Sequence, residues 1–321
     1  MKLRHVLPLG LSLAAFLALL ASAAAAAEAC RAALGVCARL LIPSLFPFFV
    51  LSSLLNAFGL PSTLGRLFGK LSTRLYGISG AGASALVLGL CGGYPSGAAY
   101  IAEMERGGMV SAEEGERLLA FCNNSGPAFA VGALGLGVFR SVRIGLFLYG
   151  VHVLSALLTG LFFRGHAEVS DPRPLLLDEA EPTRALAEAV QRAAFSLLKI
   201  CGFVVFFTVL LAVLNAHGAV SLFCGVLHEC LGWELSFAHA LCAGILELGS
   251  GAAALDGLRA TPGSLSLAAG LLSWGGLSVH FQTLAVLSES KITGALHLTG
   301  RLISACIAAA LAYVLSVCFL F

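Results

Sequence analysis

The chain has 321 residues, 59% of them apolar and 11% charged, with a formal net charge of +2. A water-facing domain carries about 25% charged residues, so composition excludes an ordinary soluble fold and implies a polytopic membrane protein. The net charge says nothing about nucleic acid, and with no basic run none is expected as a partner. The ten cysteines are scattered through apolar stretches, without Cys-x-x-Cys or zinc spacing. We read them as small apolar fillers and expect no metal site.

Residues 1–27 begin Met1-Lys2-Leu3-Arg4-His5 and then run apolar for about 22 residues. That is longer than a signal-peptide core and enough to span, so an uncleaved first helix is expected, a candidate signal anchor with a cytoplasmic N-terminus. Residues 28–40, with Glu28, Arg31 and Arg39, form an amphipathic lead-in to a span over about 41–59 that contains Pro43 and Pro47. Arg66, Lys70 and Arg74 recur every four residues, opposite Leu64, Leu67, Phe68, Leu71 and Leu75. This pattern suits a helix lying on an anionic leaflet.

Residues 78–102 are apolar but interrupted at Cys91–Gly97. Each arm is too short to cross, so a re-entrant hairpin is expected with its tip at residues 92–97. The connector 103–117 is charged, and Ser111 with Glu114 reads as a capping box. The helix that follows, about 112–139, is interrupted at Asn123–Pro127, and 144–163 is a further span. Residues 164–192 are the one long hydrophilic stretch, with Thr183 as a helix cap. The chain then repeats its order: a span (195–215), a short apolar helix (219–233), a run broken at Glu247–Gly251, a run broken at Trp274–Gln282, and a last span (295–318).

Short identities support an internal repeat. Leu55-Asn56-Ala57-Phe58-Gly59 resembles Leu214-Asn215-Ala216-His217-Gly218, and Ser96-Gly97-Ala98 matches Ser250-Gly251-Ala252. With a hairpin that does not cross, each half crosses three times, so the second half is inverted. The expected fold is all-α: two inverted repeats, each with a re-entrant hairpin and a broken transmembrane helix, plus an extra N-terminal helix. The parts are the N-terminal helix (1–28), the first repeat (29–164), a cytoplasmic linker (165–192) and the second repeat (193–321). Thirteen Lys and Arg residues then lie on the cytoplasmic side and five outside (Arg31, Arg39, Arg140, Arg143, Arg259), following the positive-inside rule. Arg301 falls inside a span.

The motifs Gly92-Gly93-Tyr94-Pro95-Ser96-Gly97-Ala98, Glu116 to Pro127 and Gly275 to Gln282, with Pro43-Ser44-Leu45-Phe46-Pro47-Phe48-Phe49, resemble the YlbJ-type sporulation integral membrane proteins. The likeness runs from about Ala29 to Tyr313. That family contains the nucleoside recognition, or gate, domain and is similar in plan to concentrative nucleoside transporters. The resemblance implies a role in endospore formation, a place in a membrane around the forespore, and passage of a small anion, dipicolinic acid. The family often has Thr or Ser in the place of Cys122, and Asn-Pro where this chain has Gly126-Pro127.

Candidate solute-binding residues come from the four interruptions. At the first hairpin tip they are Gly93, Tyr94, Pro95, Ser96 and Gly97, whose free N–H groups suit an anion. At the first broken helix they are Asn123, Asn124 and Ser125. At the second hairpin they are Glu247 and Ser250, Glu247 also being the candidate carrier of a coupling proton. At the second broken helix they are Ser278, His280 and Gln282. The alternatives are structural: close helix packing at the hairpin tip, satisfaction of the carbonyls freed by Pro127 at Asn123 to Ser125, pairing with Arg301 or capping of a helix by Glu247, and hydrogen-bonded packing by His280. No cofactor is expected beyond a coupling proton or Na+, and the partners are solute, bilayer and, for an oligomer, a second copy. Ser96, Ser125, Ser278 and His280 could supply a nucleophile and base, but no Gly-x-Ser-x-Gly or paired Asp motif supports an enzyme. A transporter is the leading reading, of an anion or of a nucleoside. A non-transporting assembly protein of the developing spore, docking through 164–192, is the other class.

Overall fold

Helices follow one another from end to end in the structure, a computed structural model that describes residues 3–165 and 181–320. The charged centre of the predicted linker, with Asp171 to Pro174, lies outside the described residues. The elements are α1 Leu3–Ala21, α2 Ala23–Val36, a π-helical turn Cys37–Leu41, α3 Ile42–Ala57, α4 Leu60–Tyr76, α5 Gly80–Gly92, α6 Ser96–Arg106 and α7 Ala112–Cys122. A π-helical segment Ala128–Val138 and α8 Val142–Phe162 complete the first half. The second half is α9 Pro182–Ala216, α10 Ala219–Leu231, α11 Leu235–Leu246, α12 Leu248–Ala254, α13 Pro262–Trp274, α14 Gly276–Leu287 and α15 Ala295–Phe319. No strand occurs among the described residues.

Three helices, α8, α9 and α15, are long and apolar enough to cross a membrane singly. Two pairs pass only together and are sharply bent, α1 with α2 by 91° and α4 with α5 by 96°. The first helix therefore ends at Ala21, six residues before the apolar run does. The bend at Gly77–Ser79 separates α4 from α5, as expected for an interfacial helix beside a hairpin arm. Helix α4 turns Gly69 and Ser72 inward and leaves Leu67, Leu71, Leu75, Lys70 and Arg74 exposed. Its small face packs on α5 at Gly80, where a Cβ on Gly65 would meet backbone at 2.6 Å.

Charged contacts gather the helix ends at two levels. At one level Glu116 accepts from the backbone N–H groups of Thr293 and Gly294, at the start of α15, Arg106 pairs with Glu289 at 3.1 Å, and Arg192 lies 3.7 Å from Glu103. At the other, Arg143 donates to the Phe319 carbonyl at the far end of α15 (3.4 Å), and Arg140 pairs with Asp256 at 3.3 Å. Helix α15, 25 residues and about 37 Å long at 1.5 Å per residue, connects the two levels.

Both ends of the α5–α6 hairpin lie at the first level, through Ser79 N–H to Glu114 (2.6 Å) and through Arg106. Its break at residues 93–95 lies against Gly126 in the interruption after α7. In the second half, α9 passes the first level at Arg192, ten residues after its start, and α12 ends near Asp256 at the second.

The halves also share local geometry. Gly59 and Gly218 open α4 and α10 in the left-handed region (φ 81° and 77°), and Gly77 and Gly232 close them there (φ 61° and 66°). A side chain at those positions would strain the backbone.

Ser111 caps α7 as read from the sequence, accepting from Glu114 N–H at 3.1 Å. The return half of that capping box is missing, because the Glu114 carboxylate binds Ser79 N–H instead. Thr183 is not the cap of α9: Glu181 occupies that position, with Pro182 first in the helix. All ten cysteines are free.

Candidate functional site

A break in a buried helix leaves N–H and C=O groups that lipid cannot satisfy. Here the protein satisfies them from within. At the end of α7, Asn124 Nδ2 donates to the Phe121 carbonyl (2.7 Å), Arg301 Nη2 to Ala120 (2.8 Å), and His297 Nδ1 lies 3.2 Å from the Leu119 carbonyl. After the break, Ser125 N–H donates to His152 Nε2 at 3.1 Å. The His152 proton must then sit on Nδ1, which is 2.7 Å from Ser273 Oγ. Asn123 Oδ1 accepts from Ala98 N–H in the first turn of α6 (3.2 Å), and its Nδ2 donates to Thr283 Oγ1 (2.9 Å).

Between the halves, the Tyr94 hydroxyl reaches the Leu272 and Ser273 carbonyls at 3.3 and 3.2 Å, at the C-terminal end of α13. Trp274 Nε1–H donates to the Ile245 carbonyl at the end of α11 (3.1 Å). Glu247 caps α12, its carboxylate accepting from Gly249 N–H (2.8 Å) and Ser250 N–H (2.5 Å). Replacing it by Gln is expected to cost about 0.5–2 kcal/mol of stability, because the amide nitrogen cannot accept. Thermal unfolding of the detergent-purified protein checks this.

Arg301 is the hub. It is fully buried, and its Nη1 donates to Asn124 Oδ1 (2.9 Å) and to the Tyr94 hydroxyl (3.3 Å). No carboxylate pairs with it among the described residues. From the sequence, an arginine inside a span is either a partner for an anion or a side chain that snorkels to the helix end. The structure corrects the second reading, since a snorkelling arginine reaches water.

Three of the breaks meet one half-open cavity of about 260 Å³. It is lined by Gly93 and Tyr94 from the first hairpin, Ser125 and Gly126 from the first broken helix, Glu247 and Gly249 from the second hairpin, and Val279 and Gln282 from α14. Ile200 and Val204 of α9 close one wall. A second cavity, about 160 Å³, lies beyond the first hairpin tip and holds Pro95, Ser96, Glu103, Arg192 and Lys199. Ile200 and Gln282 line both and separate them.

Five of the residues singled out from the sequence, Gly93, Tyr94, Ser125, Glu247 and Gln282, thus face the first cavity, and Pro95 and Ser96 the second. Asn123 and Asn124 line neither: both are wholly buried and hold backbone and side-chain groups of the protein. Gly97 packs on the Cys122 carbonyl, where a Cβ would come within 2.6 Å. Ser250 lies 3.3 Å from Thr208 Oγ1, and Ser278 accepts from Gln282 at 3.0 Å. His280 is buried against Trp274 and His297. The second broken helix yields at Gly275 and Gly276 (φ 84° and 83°), so Ser278, His280 and Gln282 are helical rather than unwound.

Sequence reasoning missed His152, Ser273, Thr283 and His297. The histidines lay in apolar runs, where an ionisable side chain is itself a signal.

No family model and no solved structure matches the chain. It is 28% identical over 290 residues to the sporulation integral membrane protein YlbJ of Bacillus subtilis (strain 168), a likeness covering 83% of this chain and 71% of the relative. The likeness extends over most of the chain, and the chain is similar to the YlbJ-type sporulation integral membrane proteins.

Proposed function

We propose that this chain is a membrane transporter of a small solute, in the first place an anion such as dipicolinic acid during endospore formation. One observation carries the reading: three chain breaks and α14, the helix that follows the fourth, line a single cavity. Discontinuous helices around a central site are the common plan of secondary transporters. The hairpins are re-entrant and enter from opposite faces, and the halves are inverted repeats. Their support is the placing of the first hairpin's ends beside Glu114 and Glu289 and of the second hairpin's end beside Arg140.

The anion preference rests on Arg301. Among the described residues its charge has no carboxylate partner, and it stands one side chain behind Tyr94, which faces the cavity. Gln282 divides the two cavities and is the residue a solute must pass. A nucleoside is the second reading, favoured by the Glu247 carboxylate and the Gln282 amide in the lining, which suit hydroxyl groups and base edges. The YlbJ relative's sporulation role supports a forespore membrane as the location, with the N-terminus cytoplasmic.

The test is uptake of labelled dipicolinate by proteoliposomes, with nucleosides as competitors. Saturable uptake is expected. Gln282→Leu, which removes the polar group shared by both cavities, is expected to lower it about tenfold, the effect of one hydrogen bond of about 1.4 kcal/mol. Saturable movement of nucleosides but not dipicolinate would move the assignment to the second reading. Movement of neither would overturn transport and leave the assembly role.

A further inference from the structure

Among the described residues, both ring nitrogens of His280, Nε2 of His297 and Nε of Arg301 are buried without a hydrogen-bond partner. The three side chains are 6%, 3% and 0% exposed, so no bulk water serves them. Groups of this kind are rare in proteins and call for an explanation.

Their chemistry is complementary. The Leu119 carbonyl can only accept, so the His297 hydrogen is on Nδ1 and Nε2 is a bare lone pair. A neutral His280 offers one donor and one acceptor, and Arg301 Nε is a donor. The two imidazole centroids lie 5.0 Å apart, and Trp274 packs on His280 at 4.3 Å. His297 and Arg301 are one turn apart on α15. Two donors and two acceptors suit ordered water. A bare carboxylate would face the His297 lone pair and fits badly.

We propose that the His280–His297 pair is where a proton resides when it travels with an anionic solute. This rests on the transport reading above and supplies its coupling ion. The proton leaves water and bonds to a ring lone pair; no other bond breaks, and the reverse step releases it on the other side. Glu247 is less suited, because its carboxylate oxygens already hold the N–H groups of Gly249 and Ser250.

The charged and titratable surroundings define the coupling. On α15 there is Arg301, and on α7 the buried thiol of Cys122 and, at its far end, Glu116, which holds the first turn of α15. On α8 there is His152, with both nitrogens engaged, and across the cavity stands Glu247. A second positive charge beside Arg301 calls for a negative one nearby. An anion in the cavity supplies it through Tyr94, whose hydroxyl is bonded to Arg301. By linkage, the anion favours the proton as much as the proton favours the anion.

Two measurements decide. In 15N-histidine NMR of the membrane-embedded protein, acidification is expected to load His280 and His297 as a coupled pair. Dipicolinate should raise the pH at which they load, and His280→Gln should alter the His297 profile. Rings that stay unprotonated as long as the protein is folded, or that load independently, would overturn the proposal. In proteoliposomes, an inward proton gradient is expected to raise dipicolinate accumulation about tenfold per pH unit for one proton per solute. Uptake by His297→Gln, checked for folding by thermal unfolding, should no longer respond to the gradient. A full response in that variant overturns the proton site while transport stands. No dipicolinate movement by the unmodified protein overturns the transport reading, and the NMR result then judges the proton site alone.

Discussion

Arg301→Met is expected to remove uptake and to lower stability by about 2–6 kcal/mol. The Ala120 carbonyl and Asn124 Oδ1 lose their donor. Each buried group left unpaired costs about 1–3 kcal/mol. Arg301→Lys keeps the charge but has no planar fork with which to reach Tyr94, Asn124 and Ala120 together, so it should recover part of the stability and little of the transport. Thermal unfolding and proteoliposome uptake on the same preparations check both. Wild-type stability in Arg301→Met would mean that the three contacts do not hold the breaks together.

Gly89→Ala is expected to be damaging by shape alone. A Cβ there would lie 1.7 Å from the Cys122 carbonyl oxygen, which is backbone and cannot swing aside. The α5–α6 hairpin must move off α7, and overpacking of this kind costs about 1–3 kcal/mol, occasionally more. The shift would carry Gly93 away from Gly126 and open the cavity wall that they form. Folded yield after size-exclusion chromatography, with uptake per folded molecule, is the measurement. Gly150→Ala is the control, since its Cβ would meet nothing within 4 Å and little change is expected.

The interruptions were legible because each combines Gly or Pro with polar side chains in an apolar run. Gly93 to Pro95, Asn123 to Gly126 and Glu247 all interrupt helices where the sequence indicated. The second broken helix was less legible. Gly275 and Gly276 take positive φ, but Ser278, His280 and Gln282 point polar groups from an intact α14. Composition does not distinguish an unwound polar segment from a helix whose polar face is buried. Glu114 shows the same limit at a cap, where a tertiary donor, Ser79 N–H, took the carboxylate that local spacing assigned to its own helix.

The roles of Asn123 and Asn124 were also beyond the sequence. Both stand at a break, as a solute-binding amide would, yet both are consumed by the protein's own α6, α7, α14 and α15. Which polar groups at a break serve the chain, and which face the cavity, depends on the elements packed around it.

By itself the sequence determined an all-helical membrane protein, the order of its helices and the points at which four of them break, because hydropathy and Gly/Pro placement act over a few residues. Only the tertiary structure decided that Tyr94 crosses from one half to the other, that Arg301 stands at the centre unpaired with any described carboxylate, and that three of the breaks share one cavity with α14. Those facts join residues more than 150 positions apart, and the groups that satisfy a broken helix are supplied by whichever distant helix packs against it.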